Sequence, residues 1–265
     1  MRTFSRIIAT IVMVLVAACS YQDMADKLIP KEESGFAKDY LHQLQARNFQ
    51  YVKTYVDPSI EAEVTDAKLI EIADYFPGGE LLSTELIGSH VNTFNSQWQG
   101  NFTFEYQFSG GWALANVVLK RTKDALSVVG FNVYRTEASQ RELNKFTLAG
   151  KSAIQYLVLT LAIAAPLFVL VTLYFCIKTP IQKRKWLWVL FVLVGVGSMS
   201  VNWSSGQYHI QPLSLNLFSA SALAAGPFAP WIISASIPLG AILFWFKRKG
   251  FIESNRASAT IDADN

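Results

Sequence analysis

The residues of this chain that could do chemistry are few and far apart. It has two cysteines and three histidines, which are Cys19, Cys176, His42, His90 and His209. Acid–base catalysis needs a titrating side chain with a positioned partner, and no histidine here stands in a recognisable catalytic or metal-binding motif. The sequence also lacks the spacing of nucleotide-binding loops and of common hydrolase motifs. We therefore expect no catalytic residue, no metal and no cofactor, and predict that the protein is not an enzyme.

One alternating segment could supply a ligand pocket. In residues 101–108, aromatic side chains alternate with polar ones, which is the period of a half-buried strand. Tyr106 in this segment and Trp112 after it carry polar groups on apolar rings, and His90 lies on a predicted neighbouring strand. These three residues are the candidate pocket. The alternative is that the aromatic side chains form the hydrophobic core, which is the commoner role of rings on such a strand.

The first cysteine stands at the end of an apolar segment. Arg2 and Arg6 precede an uncharged run that ends in Ala17, Ala18 and Cys19. As a helix the run rises about 18 Å, which is short of the roughly 30 Å hydrocarbon core of a bilayer. This arrangement resembles a bacterial lipoprotein signal with its lipobox. The resemblance implies removal of residues 1–18 and attachment of a lipid (diacylglycerol, with palmitate among its acyl chains) to the sulfur of Cys19. An ordinary signal peptide and an uncleaved anchor are the alternatives.

Three uncharged runs follow the first 151 residues. Each is close to the roughly 20 residues that a helix needs to cross a bilayer. They are residues 152–177, 186–203 and 228–246. Tryptophans near their ends are typical of membrane interfaces, so we predict an all-α unit of three transmembrane helices. The alternative is that these runs are core helices of a soluble protein.

Charge predicts the topology of that unit. Residues 178–185 and 247–265 contain basic clusters, whereas residues 204–227 contain no Lys, Arg, Asp or Glu. The positive-inside rule places the basic segments in the cytoplasm, so residues 19–151 and 204–227 are predicted to be extracytoplasmic. The expected location is a bacterial cytoplasmic (inner) membrane, with several spans and a cytoplasmic C-terminus. We expect residues 204–227 to be an extracytoplasmic loop that forms either an interfacial or re-entrant helix or an ordered cap over the bundle.

Residues 34–148 are predicted to form one extracytoplasmic α+β domain, preceded by a lipidated linker at 19–33. Helical periodicity in its first part gives way to two-residue alternation, which predicts N-terminal helices packed on an antiparallel sheet of about four strands. This order of elements in residues 34–137 resembles the cystatin-like roll of the nuclear transport factor 2 superfamily. The resemblance implies a curved sheet around a cavity, which members use for catalysis, for ligand binding or only for packing.

The distribution of charge argues against nucleic acid as a partner. Residues 20–151 carry 13 basic and 17 acidic residues, and most of the 10 basic residues elsewhere flank the apolar runs. We predict a non-enzymatic inner-membrane lipoprotein whose roll domain binds a partner or small ligand, with the lipid bilayer and envelope proteins as partners. The alternative is an accessory subunit of a membrane transport or envelope-assembly complex that docks through its transmembrane helices.

Overall fold

The chain divides into two compact units, Met1–Gln140 and Arg141–Asn265. The computed structural model describes residues 29–94, 97–122, 125–181 and 184–263. Cys19, its lipobox and most of the predicted lipidated linker lie outside these residues, so the lipoprotein signal stays a prediction.

In the first unit, helices precede a four-stranded antiparallel sheet. The helices are α1 (Lys31–Gln45), α2 (Phe49–Thr54), a 3-10 helix (Glu61–Glu63) and α3 (Asp66–Ala73). The strands are β1 (Leu81–Phe94), β2 (Gln97–Phe108), β3 (Gly111–Thr122) and β4 (Ala125–Thr136), paired in chain order. A short helix, α4 (Gln140–Leu143), follows β4 in the chain.

Local sequence explains where two of these helices begin. Asn48 and Thr65 precede α2 and α3, and their side-chain oxygens accept hydrogen bonds from the backbone N–H groups of Tyr51 and Lys68. These bonds satisfy donors that have no partner within the first turn of a helix. Both helices therefore begin directly after a residue type that is favoured at the N-cap position.

The core of the first unit lies between these helices and one face of the sheet. Every second residue of β2 from Phe102 to Phe108 is buried. Small residues stand opposite the large rings, since Ala115 pairs with Phe104 and Ala113 pairs with Tyr106. Large side chains against small ones fill space without voids, and the face closes against buried residues of α1.

The second unit combines helices with a second antiparallel sheet. Its helices are α5 (Ala153–Lys178), α6 (Lys185–Leu193) and α7 (Leu239–Ala263). Its strands are β5 (Val194–Asn202), β6 (Tyr208–Leu217), β7 (Ala220–Leu223) and β8 (Ile232–Ile237), in the order β6-β5-β8-β7. The predicted fold class is therefore wrong, because this unit is not an all-α bundle of three transmembrane helices.

Two of the three predicted spans change structure partway. Residues 186–203 are helix α6 followed by strand β5, and residues 228–246 contain strand β8 followed by the start of α7. Gly195 and Gly197 interrupt the helix-forming pattern in the first case, and the valines around them favour a strand. In the second case Pro238 separates the strand from the helix.

The predicted membrane topology is wrong for the same reason. Among the described residues, one helix, Ala153–Lys178, is long and apolar enough to cross a membrane. A multi-pass inner-membrane location with a cytoplasmic C-terminus is therefore not supported. Residues 204–227, for which an interfacial or re-entrant helix and an ordered cap were the alternatives, contain strands β6 and β7 and not a helix. The alternative function was expected to dock through three transmembrane helices, whereas the described residues contain one helix of that length and apolarity.

Helix α5 organises the second unit. Its first half packs on the sheet, where Val158 lies against Val201 and Ile233. Its second half packs on α6 and α7, where Val169 belongs to one cluster with Phe244. Much of the remaining surface of α5 is exposed and apolar.

Candidate ligand-binding face

Tyr106 is a core residue. Its side chain is almost fully buried, and its ring stands edge-on to Phe76 and stacks with Phe108. Burial raises the pKa of the Tyr106 hydroxyl above its ordinary value. Among the described residues, the hydroxyl has no hydrogen-bond partner. The Tyr106 ring therefore packs in the hydrophobic core, which agrees with the alternative that the aromatic side chains of residues 101–108 are core residues.

The other two residues of the candidate pocket lie on the opposite face of the sheet. His90 is exposed and pairs with Asn101, and Trp112 is half-buried and pairs with Gln107. Six residues along β2 separate these two positions, which is about 20 Å in a strand. The structure does not bring Tyr106, Trp112 and His90 together.

That opposite face is rich in carboxamide side chains. The register of the four strands places seven of them on it, and each is exposed or half-buried. We call this surface the amide face, and define it by Asn92, Gln97, Gln99, Asn101, Gln107, Asn116 and Asn132. A carboxamide offers two N–H donors and an oxygen acceptor without a charge. The face can therefore exchange hydrogen bonds of both kinds with a neutral ligand.

The centre of the amide face is held in place by its own hydrogen bonds. The Asn116 amide donates to the side-chain oxygens of Asn101 and Thr103, the latter at 2.8 Å. On β4, the Asn132 amide donates to the Tyr134 hydroxyl at 2.8 Å. Side chains that are already oriented lose less conformational entropy when they bind a ligand.

A shallow cleft of about 200 Å³ marks one end of the amide face. Asn92, Gln97, Gln99, Lys120 and Val129 line it. Its three carboxamides and one ammonium group provide several hydrogen-bond donors within a small space. The cleft extends the amide face to the end of the sheet where β1 meets β2.

Asp57 supports the cleft from the edge of the sheet. Its carboxylate accepts hydrogen bonds from the Ser59 hydroxyl at 2.7 Å and the Ser127 hydroxyl at 2.8 Å, and lies 3.7 Å from Lys120 Nζ. The hydrogen bonds from Ser59, and then that from Ser127, lower the pKa of Asp57 to about 2. Asp57 is therefore a positioning residue that stays charged at neutral pH.

At the other end of the sheet, the chain after β4 covers part of the same face. Glu105 is buried there, and its carboxylate accepts a hydrogen bond from the backbone N–H of Gln140. Glu105 is therefore covered, whereas Tyr134, on β4 in the same row, stays 54% exposed, and the amide face is open from this row towards the cleft.

No metal site is visible in the described part of the chain, where no three His, Cys, Asp or Glu side chains form a group that could hold an ion. The amide face itself was missed by sequence reasoning. Its residues are the polar half of the alternation that predicted the strands, and polar residues on a half-buried strand are expected in water whether or not they bind a ligand. The sequence signal that could have indicated this face is the number of Asn and Gln residues between positions 92 and 132.

Comparison of the chain with protein-family models, with curated proteins and with solved structures found no match. The resemblance to the cystatin-like roll therefore stays a prediction, and the site has to be interpreted from its own chemistry.

Proposed function

We propose that this chain is a membrane-attached binding protein whose first unit binds a neutral, hydroxyl-rich ligand, a saccharide chain, on the amide face. The observation that carries this proposal is the presence of seven carboxamides on one face of a four-stranded sheet. A sugar hydroxyl both donates and accepts hydrogen bonds, as a carboxamide does. An anionic ligand would instead call for a cluster of Arg and Lys.

An aromatic ring beside the carboxamides supports a sugar as the ligand. Tyr134 on β4 is 54% exposed, and its hydroxyl is fixed by Asn132. The C–H face of a pyranose ring is apolar and packs on an aromatic side chain, while its hydroxyls reach neighbouring amides. Tyr134 and Asn132 together provide both kinds of contact.

Binding without catalysis fits the environments of three titrating groups of the first unit. Tyr40 and Tyr106 are buried in the core, and burial raises the pKa of each hydroxyl. Asp57 is occupied by its hydrogen bonds to Ser59 and Ser127. A general acid or base has to reach its substrate with a free proton or lone pair, which these groups do not offer.

Helix α5 is the proposed attachment to the membrane. Its exposed side chains are largely apolar and form a surface that can contact the bilayer, while its other sides pack on the second sheet and on α6 and α7. A lipid on Cys19 would add a second attachment. Mass measurement of the N-terminal peptide from the native membrane tests that addition, since an unmodified Cys19 would exclude it.

The experiment for the amide face is co-sedimentation of the full chain with insoluble polysaccharides. Purified protein in a detergent without a sugar headgroup is mixed with chitin, with cellulose and with bacterial peptidoglycan. We expect it to sediment with at least one of them, and expect Gln99→Ala combined with Asn132→Ala to reduce the bound fraction at least fivefold. Gln50→Ala, an exposed carboxamide on α2, is the matched control. Failure to bind all three polymers, or equal binding of both variants, contradicts the proposal.

A further inference from the structure

The second unit contains an apolar cleft of about 450 Å³ beside α5. Leu159, Ala162 and Ile163 of α5 form one wall, and Ala220 and Ala222 of β7 form the other. The cleft exists because alanines stand where larger side chains would close the gap between helix and strand. Ile163 is 57% exposed, so the cleft opens on the same apolar surface of α5 that we propose meets the membrane.

The size and lining of this cleft fit a hydrocarbon chain. A methylene group is about as large as a water molecule, whose share of liquid volume is about 30 Å³, so the cleft takes roughly 15 of them. Its lining is almost entirely carbon, and water in such a space finds few hydrogen-bond partners. An acyl chain needs none.

Cations stand beside the aromatic end of the cleft. Phe146 and Trp231 line this end, and Phe146 stacks on Trp203 at 5.0 Å between ring centroids. The Lys151 ammonium lies 5.8 Å from the Trp203 ring. A second cation, the Arg141 guanidinium, lies 5.1 Å from the ring of Phe228, which precedes the cleft residue Trp231 by three residues.

Aromatic rings mixed with cations are typical of the level where a bilayer meets water. Arg141 and Lys151 have long side chains that are exposed or half-buried, so each can extend towards a lipid phosphate at this level. We propose that the cleft binds one acyl chain of an anionic phospholipid from the bilayer, with its phosphate near Arg141 and Lys151. This inference rests on the membrane attachment through α5 and is independent of the saccharide proposed for the amide face.

Photo-crosslinking in vesicles tests the acyl chain. The full chain is reconstituted into phosphatidylcholine vesicles that contain phosphatidylglycerol with a diazirine on its acyl chain, and labelled peptides are mapped by mass spectrometry. We expect labelling to concentrate on the cleft walls of α5 and β7. Ala162→Phe and Ala222→Phe fill the cleft from opposite walls, and each is expected to reduce labelling there at least fivefold.

Leu167→Phe is the matched control, because Leu167 is 58% exposed on α5 and does not line the cleft. It should leave labelling of the cleft walls unchanged. Labelling spread evenly along α5, or unchanged in both filling variants, would show general contact with the bilayer only and would overturn the proposal. Circular dichroism of each variant identifies a folding failure, and the two walls give independent results.

The headgroup is tested by moving the diazirine to phosphatidylcholine. We expect labelling of the cleft walls to fall about threefold with this lipid, and expect Arg141→Gln combined with Lys151→Gln to abolish the difference between the two lipids. Equal labelling of the unsubstituted protein by both lipids overturns the assignment of an anionic headgroup. Binding to the polysaccharides should be unaffected by all these variants, which separates failure of this inference from failure of the amide-face proposal.

Discussion

The Ser127 hydroxyl on β4 donates a hydrogen bond to Asp57 Oδ2 at 2.8 Å. This bond ties the segment after α2 to the edge of the first sheet, 70 residues along the chain. Backbone bonds continue the contact, since Asp57 N–H donates to the carbonyl of Val128 and Val128 N–H donates to that of Tyr55. The Asp57 carboxylate also lies 3.7 Å from Lys120 Nζ, and Lys120 lines the cleft. One carboxylate therefore both stabilises the sheet edge and positions a side chain of the cleft.

Asp57→Asn is expected to lower the free energy of unfolding of the first unit by at most about 2 kcal/mol at pH 7, because the native pKa of about 2 lies below the unfolded value of 3.8. The stabilisation is fully present above about pH 4 and is lost as the pH falls through 2, where both states bind the proton. Urea unfolding followed by circular dichroism at pH 7 and pH 2.5 should show the difference between the two proteins shrinking. Asp66→Asn, in an exposed ion pair with Lys53, should change stability by less than about 1 kcal/mol.

Tyr106→Phe is expected to leave the first unit as stable as before, or more stable by up to about 1 kcal/mol, since the buried hydroxyl has no hydrogen-bond partner to lose. Tyr106→Ala should cost about 3–5 kcal/mol because it opens a cavity. Thermal unfolding measures both. Loss of polysaccharide binding in a stable Tyr106→Phe protein would instead restore Tyr106 as a ligand residue.

Asn116→Asp should destabilise the first unit by about 1–3 kcal/mol and weaken ligand binding. It replaces an N–H donor by an oxygen that faces the acceptors of Asn101 and Phe102. Asn132→Asp is the control, because the Tyr134 hydroxyl that now accepts from Asn132 can turn and donate to a carboxylate. Chemical denaturation of the two variants should show free energies of unfolding that differ by more than about 1 kcal/mol, and equal stability would contradict the hydrogen bonds assigned to Asn116.

Gly195→Ala distinguishes strand β5 from a membrane-spanning helix. A Cβ on Gly195 would lie 2.7 Å from the Cα of Ser219, so the substitution should destabilise the second unit. In a helix the same change would be stabilising by up to about 1 kcal/mol. Resistance to proteolysis and thermal unfolding of the reconstituted protein measure the sign. Gly250→Ala in α7 meets no atom within 4 Å and should be neutral or stabilising.

Sequence reasoning located strand β2 and its buried face because the aromatic residues from Phe102 to Phe108 recur with a period of two. Two residues of the amide face, Asn101 and Gln107, lie in the same alternating segment, but a polar side chain is compatible with plain hydration and with ligand binding alike. Only the register across β2, β3 and β4 shows that Thr103, Asn116 and Asn132 form one row. Pairing partners come from distant parts of the chain, and no local pattern specifies them.

In the second unit, the sequence by itself determined that residues 152–177 and two later runs are apolar and uncharged. Tertiary structure decided whether each run is a helix. Hydropathy measures how readily side chains leave water, and it does not show whether a backbone N–H group bonds within its own segment or to a distant strand. In a helix, each backbone N–H group bonds to a carbonyl four residues away, whereas Val201 pairs with Ile233, 32 residues further along the chain. Because strand pairing forms at that distance, and because glycines in one run and Pro238 in the other disfavour a continuous helix, each of the two predicted spans is part helix and part strand.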